Sequence, residues 1–177
     1  MHCHPRRPGF WIVAAGAVST RRPLSAEGGH SDEAIALLKN GVEQQPNSPD
    51  GQNGLGVALA HAGNLEEANA HLQKAVDLAP QDAGYRYNLG RVLAARGLFA
   101  EALPQFSEAA RLTNLQDPTI LQMLAAMQSE TGRYGDAMAT AQTALNLARQ
   151  EQNQALAASL ETNLARYQAQ AANGGPQ

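Results

Sequence analysis

A chain of 177 residues that is 44% hydrophobic is long enough for one domain with its own core and too apolar for compositional disorder. Its apolar fraction is mostly Ala and Leu, with 5% aromatics and few β-branched residues after residue 30, which makes the expected class all-α. The net charge of −3 divides into four arginines against Glu27 over residues 1–29, then 9 basic against 15 acidic residues beyond; the acidic body excludes a phosphate-binding role on nucleic acid, and the single Cys3 excludes an internal disulfide or a cysteine metal site.

Residues 1–29 form a separate leader. A basic start, an apolar run from Phe10 to Val18 and the triplet Ala15-x-Ala17 have the layout of a secretory signal peptide. The apolar run is too short to span a bilayer. Its Gly and Ala content, and Arg21 and Arg22 just beyond the cleavage point, fit a disordered leader or an imprecise gene start. Both readings stay open. Localisation leans cytoplasmic, and becomes periplasmic or secreted if residues 1–17 are a cleaved signal. The "HCH" at residues 2–4 has metal-ligand types but is too close-set to close a tetrahedral site.

Next comes "SDEAIALLKNGVEQQ", residues 31–45, an amphipathic helix. From here one period governs the chain. Ala34, Ala68, Ala102 and Ala137 are 34, 34 and 35 apart; Gly63, Gly97 and Gly132 are 34 and 35 apart; Pro46 and Pro80, Leu55 and Leu89, and Gly56 and Gly90 are each 34 apart. Self-similarity of this length is the signature of a repeat array. Each unit splits into two helices: 49–62 and 66–79, then 83–96 and 100–113, then 118–131 and 135–149. Ser48-Pro49-Asp50, Asp82 and Asp117-Pro118 supply helix starts, and Gly63, Gly97 and Gly132 supply left-handed stops. Gly56 and Gly90 are expected to let the two helices of a unit pack closely, with Leu72 and Phe106 filling space nearby. Pro104 falls near the start of its helix, where a ring is tolerated. Leu156, Leu160, Leu164 and Tyr167 line one side of a last helix, expected to cap the array, and 173–177 is an expected disordered tail.

These residues carry a family resemblance. Leu55-Gly56, Leu59, Ala68, Leu72, Ala75 and Pro80, then Tyr87-Asn88-Leu89-Gly90, Leu93, Ala102, Phe106 and Ala109, resemble the tetratricopeptide repeat. A weaker third unit carries Leu124-Ala125, Gly132, Tyr134, Ala137 and Ala144. The resemblance implies an α-α superhelix of antiparallel pairs: a half repeat 30–48, repeats 49–82, 83–117 and 118–151, and a capping helix 152–172. The first helix of the opening half repeat would occupy about 15–28, where Pro23 and Gly28-Gly29 predict an irregular, partly ordered helix. Left uncovered, Ile35, Leu38 and Val42 would form an association site.

Chemistry is hard to find. No HExxH, GxSxG, P-loop or CxxC motif occurs. "GQNGLG" at 51–56 follows no strand and opens a repeat helix, so it does not read as a dinucleotide fingerprint. His61 and His71 fall on different helices, with no carboxylate in metal-pair register. The expectation is a non-enzyme with no cofactor, no metal and no membrane span. The resemblance implies a concave groove lined by the first helices, which binds a peptide or protein segment. Carried over position by position, the groove residues are Asn53, His61, Tyr87, Asn88, Arg91, Gln122 and Glu130, with Val57, Ala60, Ala94, Ala95, Thr119, Ala126 and Ser129 beside them. The chaperone-binding members use a two-carboxylate clamp of Lys, Asn and Arg. Here Val57, Thr119 and Met123 stand where polar or basic clamp groups would be needed, which argues against a chaperone's acidic tail as the ligand. Two other readings stay open: a structural assembly element, monomeric or weakly self-associating through its N-terminal half repeat, and a regulatory fragment of a larger enzyme.

Overall fold

The computed structural model describes residues 28–173; the leader up to residue 27, the expected irregular helix at its end, and tail residues 174–177 lie outside them. The described residues form eight α-helices and no strand: α1 (Gly28–Gln44), α2 (Pro49–His61), α3 (Leu65–Leu78), α4 (Ala83–Ala95), α5 (Phe99–Leu112), α6 (Pro118–Glu130), α7 (Tyr134–Gln150) and α8 (Gln154–Asn173). The chain is an all-α solenoid of paired helices. α1 begins at Gly28, ahead of Ser31, so Gly28 and Gly29 are helical here.

Local chemistry sets the helix ends. Ser48 Oγ accepts from the Gly51 N–H, Asp82 Oδ1 from the Tyr85 N–H, and Asp117 Oδ1 from the N–H groups of Thr119 and Ile120. Each cap satisfies donors that the first turn leaves orphaned, for about 1 kcal/mol. Within a unit the turn is made by a glycine at positive φ: Gly63 at 84°, Gly97 at 76° and Gly132 at 78°. α5 runs through Pro104 without interruption.

α2 packs on α3, α4 on α5 and α6 on α7, and each second helix then packs on the first helix of the next unit. Successive first helices, α2 with α4 and α6 with α8, approach more closely than successive second helices do. The first helices therefore lie on the inside of the superhelical curve.

Close packing within units takes two forms. A Cβ on Gly56 would stand 2.6 Å from Leu72 Cγ, and one on Gly90 would stand 2.9 Å from Phe106 Cζ. Leu72 and Phe106 are wholly buried, and each contributes about 2–3 kcal/mol of burial. The equivalent places in the third unit hold Ala125 and Ala141, both wholly buried. The small and large partners of the first two units are replaced by two small ones.

A second set of contacts also repeats at 34 residues. Gln52 Nε2 donates to the Pro46 carbonyl at 2.8 Å, and Gln52 Oε1 meets His71 Nδ1 at 2.7 Å. In the next unit Arg86 Nε donates to the Pro80 carbonyl at 2.8 Å, and its Nη1 meets Gln105 Oε1 at 3.3 Å. Both side chains fasten a first helix to the closing proline of the unit before and to the second helix of its own unit. The third unit has buried Leu121 at this place. Its entry loop holds an extra residue, taken up by Asn114 and Leu115 at φ 53° and 59°, with the Leu115 N–H bonded to the Ala110 carbonyl.

α8 sits as another first helix would. Its eighth residue, the place of Gly56, Gly90 and Ala125, is Glu161, which pairs with Arg149 at 2.7 Å. That residue is half exposed, unlike the wholly buried Ala125.

Candidate functional site: the concave face of the first helices

The inner face is built from residues five, six, nine and thirteen of each first helix, roughly one turn apart. At residues five and six, neighbouring helices meet through side-chain amides. Asn88 Nδ2 donates to Asn53 Oδ1 at 2.9 Å, joining α4 to α2. Gln122 Nε2 donates to Ser159 Oγ at 2.9 Å, joining α6 to α8 in the same register. The expected groove residues Asn53 and Asn88 are thus brought together, and Gln122 is held by α8. Each amide keeps further donor or acceptor capacity for a ligand backbone.

Between these rungs the face turns aromatic. Tyr87 packs edge-on against Phe106, with centroids 5.8 Å apart and planes at 72°, a favourable aromatic geometry. Burial pushes its phenol up from the ordinary tyrosine range. The Arg91 guanidinium lies 5.8 Å from the Tyr87 ring centre, within cation–π reach. Arg91 makes no ion pair or hydrogen bond among the described residues. Its planar fork of donors is left without a protein partner among them.

His61 ends α2 and Glu130 ends α6; both are exposed. Ser129 is not available as expected: it is buried, and its hydroxyl donates to Gln170 Oε1 at 2.8 Å. α8 causes this, because it is longer than the other first helices and runs past the end of α6. Sequence reasoning also missed Arg166 on α8, whose guanidinium stands 5.2 Å from the Tyr167 ring centre. Reading α8 as a first helix in register, rather than only as a cap, would have found it. Burial also pushes the Tyr167 phenol up.

Among the described residues no group of three His, Cys, Asp or Glu side chains is placed to hold a metal ion, and no helix is long and apolar enough to cross a membrane. A shallow depression on α5 is lined by Leu103, Pro104, Ser107, Glu108, Arg111 and Arg133; its charges are already paired, Arg111 with Glu108 at 2.6 Å and Arg133 with Asp136 at 2.7 Å.

The family model described as "Tetratricopeptide repeat" matches residues 26–83, 64–117 and 87–155. No curated protein matches the sequence. Among solved structures, MamA residues 41 to the end from Desulfovibrio magneticus RS-1 superposes with a TM-score of 0.64 at 20% identity, over 80% of this chain and 88% of that one. TTC0263, a thermophilic TPR protein of Thermus thermophilus, gives 0.61 at 25% identity over 81% and 75%. PcrH, solved in complex with the chaperone binding region of PopD, gives 0.62 at 25% identity over 74% and 93%.

Proposed function

Since the chain belongs to the tetratricopeptide-repeat family, whose members generally mediate protein–protein interaction, we propose that it is a non-catalytic adaptor holding an extended peptide or protein segment against its first helices. The observation that carries this is the centre of the concave face, where Tyr87 and Arg91 form one stacked unit between two amide rungs. An aromatic plate, a guanidinium with all its donors open and side-chain amides match the side chains and backbone of an extended segment. The likeness to PcrH, whose structure contains a bound region of PopD, supports the same mode. In this reading Asn53, His61, Tyr87, Asn88, Arg91, Gln122 and Glu130 form the contact surface.

The test is capture of a partner from native lysate by the wild type and by Tyr87→Ala with Arg91→Ala. Capture is lost in the double variant while helicity is unchanged. Arg91→Ala alone, which leaves the Phe106 contact in place, weakens capture on its own. Retention of full capture by both variants contradicts the groove.

A second reading, assembly through the N-terminal end, draws on α1. Leu37 is 75% exposed, and Ala34 is exposed where Ala68, Ala102 and Ala137 are wholly buried. If this face joins copies of the chain, Leu37→Glu lowers the mass in solution; an unchanged monomer removes the reading.

A further inference from the structure

The first helices of the second unit, the third unit and the cap each place one charged side chain on the concave face that has no opposite charge within ion-pair distance among the described residues. These are Arg91 on α4, Glu130 on α6 and Arg166 on α8. The ion pairs among the described residues lie elsewhere: Lys39–Glu67, Arg96–Glu66, Arg111–Glu108, Arg133–Asp136 and Arg149–Glu161. Both arginines lie over a tyrosine ring, at 5.8 Å and 5.2 Å, a contact that does not neutralise the guanidinium. The carboxylates at the opposite edge of the face are already engaged. Asp82 and Asp117 cap helices, and Asp50 accepts from the Tyr85 hydroxyl.

Building on the groove reading, we infer that the partner is an extended segment whose charges alternate acidic, basic, acidic, meeting Arg91, Glu130 and Arg166 in turn. The spacing follows from geometry. Packed helices are about 10 Å apart, as α6 and α8 are, whereas α4 and α6 are joined through α5, which packs on both. Arg91 is the ninth residue of its helix, whereas Glu130 and Arg166 are each the thirteenth, an axial offset of about 6 Å. An extended chain rises about 3.3 Å per residue, so the ligand's second and third charges fall about three residues apart and its first lies at least as far from the second. A uniformly acidic segment would meet Glu130 in the middle of its path, and a uniformly basic one would meet both arginines. Like-charge juxtaposition excludes each of them.

The experiment selects binders of the full chain from a displayed library of random peptides of about twelve residues, long enough to cross all three charges. Enriched peptides carry the acidic–basic–acidic pattern at this spacing. Arg91→Glu, Glu130→Lys and Arg166→Glu each weaken them on the order of tenfold, and the triple charge-reversed protein prefers the charge-inverted peptide. Binders that need Tyr87 but show no charge pattern overturn this inference and leave the groove standing. So do patterned binders indifferent to the three reversals. Binders indifferent to both Tyr87 and the charges overturn the inference and the groove together, and so does a selection that enriches nothing.

Discussion

The two full repeats over 49–112 and the third unit with its cap over 118–173 reach the same backbone arrangement by different means. In the first region a glycine faces a large side chain, Gly56 to Leu72 and Gly90 to Phe106, and a polar side chain fastens each unit to the proline before it. In the second, Ala125 faces Ala141, Leu121 replaces the polar fastening, and α8 supplies the missing neighbour. The same arrangement thus forms around pairs of different summed size, so it does not depend on any one residue pair. Polar fastening is one of two ways to set the angle between units.

The largest test of this comparison removes a bulky partner. Phe106→Ala loses about 3–5 kcal/mol by the transfer and cavity terms. Gly90→Ala alone loses about 1–3 kcal/mol, because its Cβ meets the Phe106 ring at 2.9 Å. Together they copy the Ala125 and Ala141 pair, and the double variant is less destabilised than the sum by about 1 kcal/mol or more. A denaturant double-mutant cycle reads this; strict additivity means that the two positions do not compensate each other.

A smaller effect sharpens the polar half. Gln52→Leu copies Leu121 but strands the Pro46 carbonyl and the His71 ring nitrogen, at about 1–3 kcal/mol. Urea midpoints check it, and a neutral result means that the two fastenings are interchangeable.

The smallest concerns pH. Gln52 Nε2 donates to Pro46, so its Oε1 is an acceptor and His71 Nδ1 carries the proton toward it. Burial holds the His71 pKa below its ordinary value. The unfolded chain therefore binds more protons in this window. The stabilisation is present above the ordinary histidine value of about 6.5 and is lost as pH falls through the lower folded value. His71→Gln, copying Gln105, flattens this part of the stability profile between about pH 7 and pH 5; an unchanged slope assigns the dependence to other groups.

Much of the fold was legible because glycine stops, acidic caps and small packing residues are local signals that recur at one period. The polar fastening was missed although Pro46 and Pro80, Gln52 and Arg86, and His71 and Gln105 are each 34 apart. Their side-chain types differ between units, so identity matching passes over them. On the concave face, position in the repeat located Asn53, Tyr87, Asn88 and Arg91 on one surface. It did not reveal that Asn53 bonds Asn88 or that Arg91 stacks on Tyr87, since both depend on how adjacent helices are rotated. Ser129 was misjudged because the length of α8, not the repeat pattern, decides its burial.

The central claim is that the partner lies along the inner face of the first helices. A photo-crosslinking residue at Ala126 on α6 and another at Gln73 on the outer surface of α3 test it in native lysate. The groove account gives partner adducts from Ala126 and none from Gln73; adducts from Gln73 alone would contradict it.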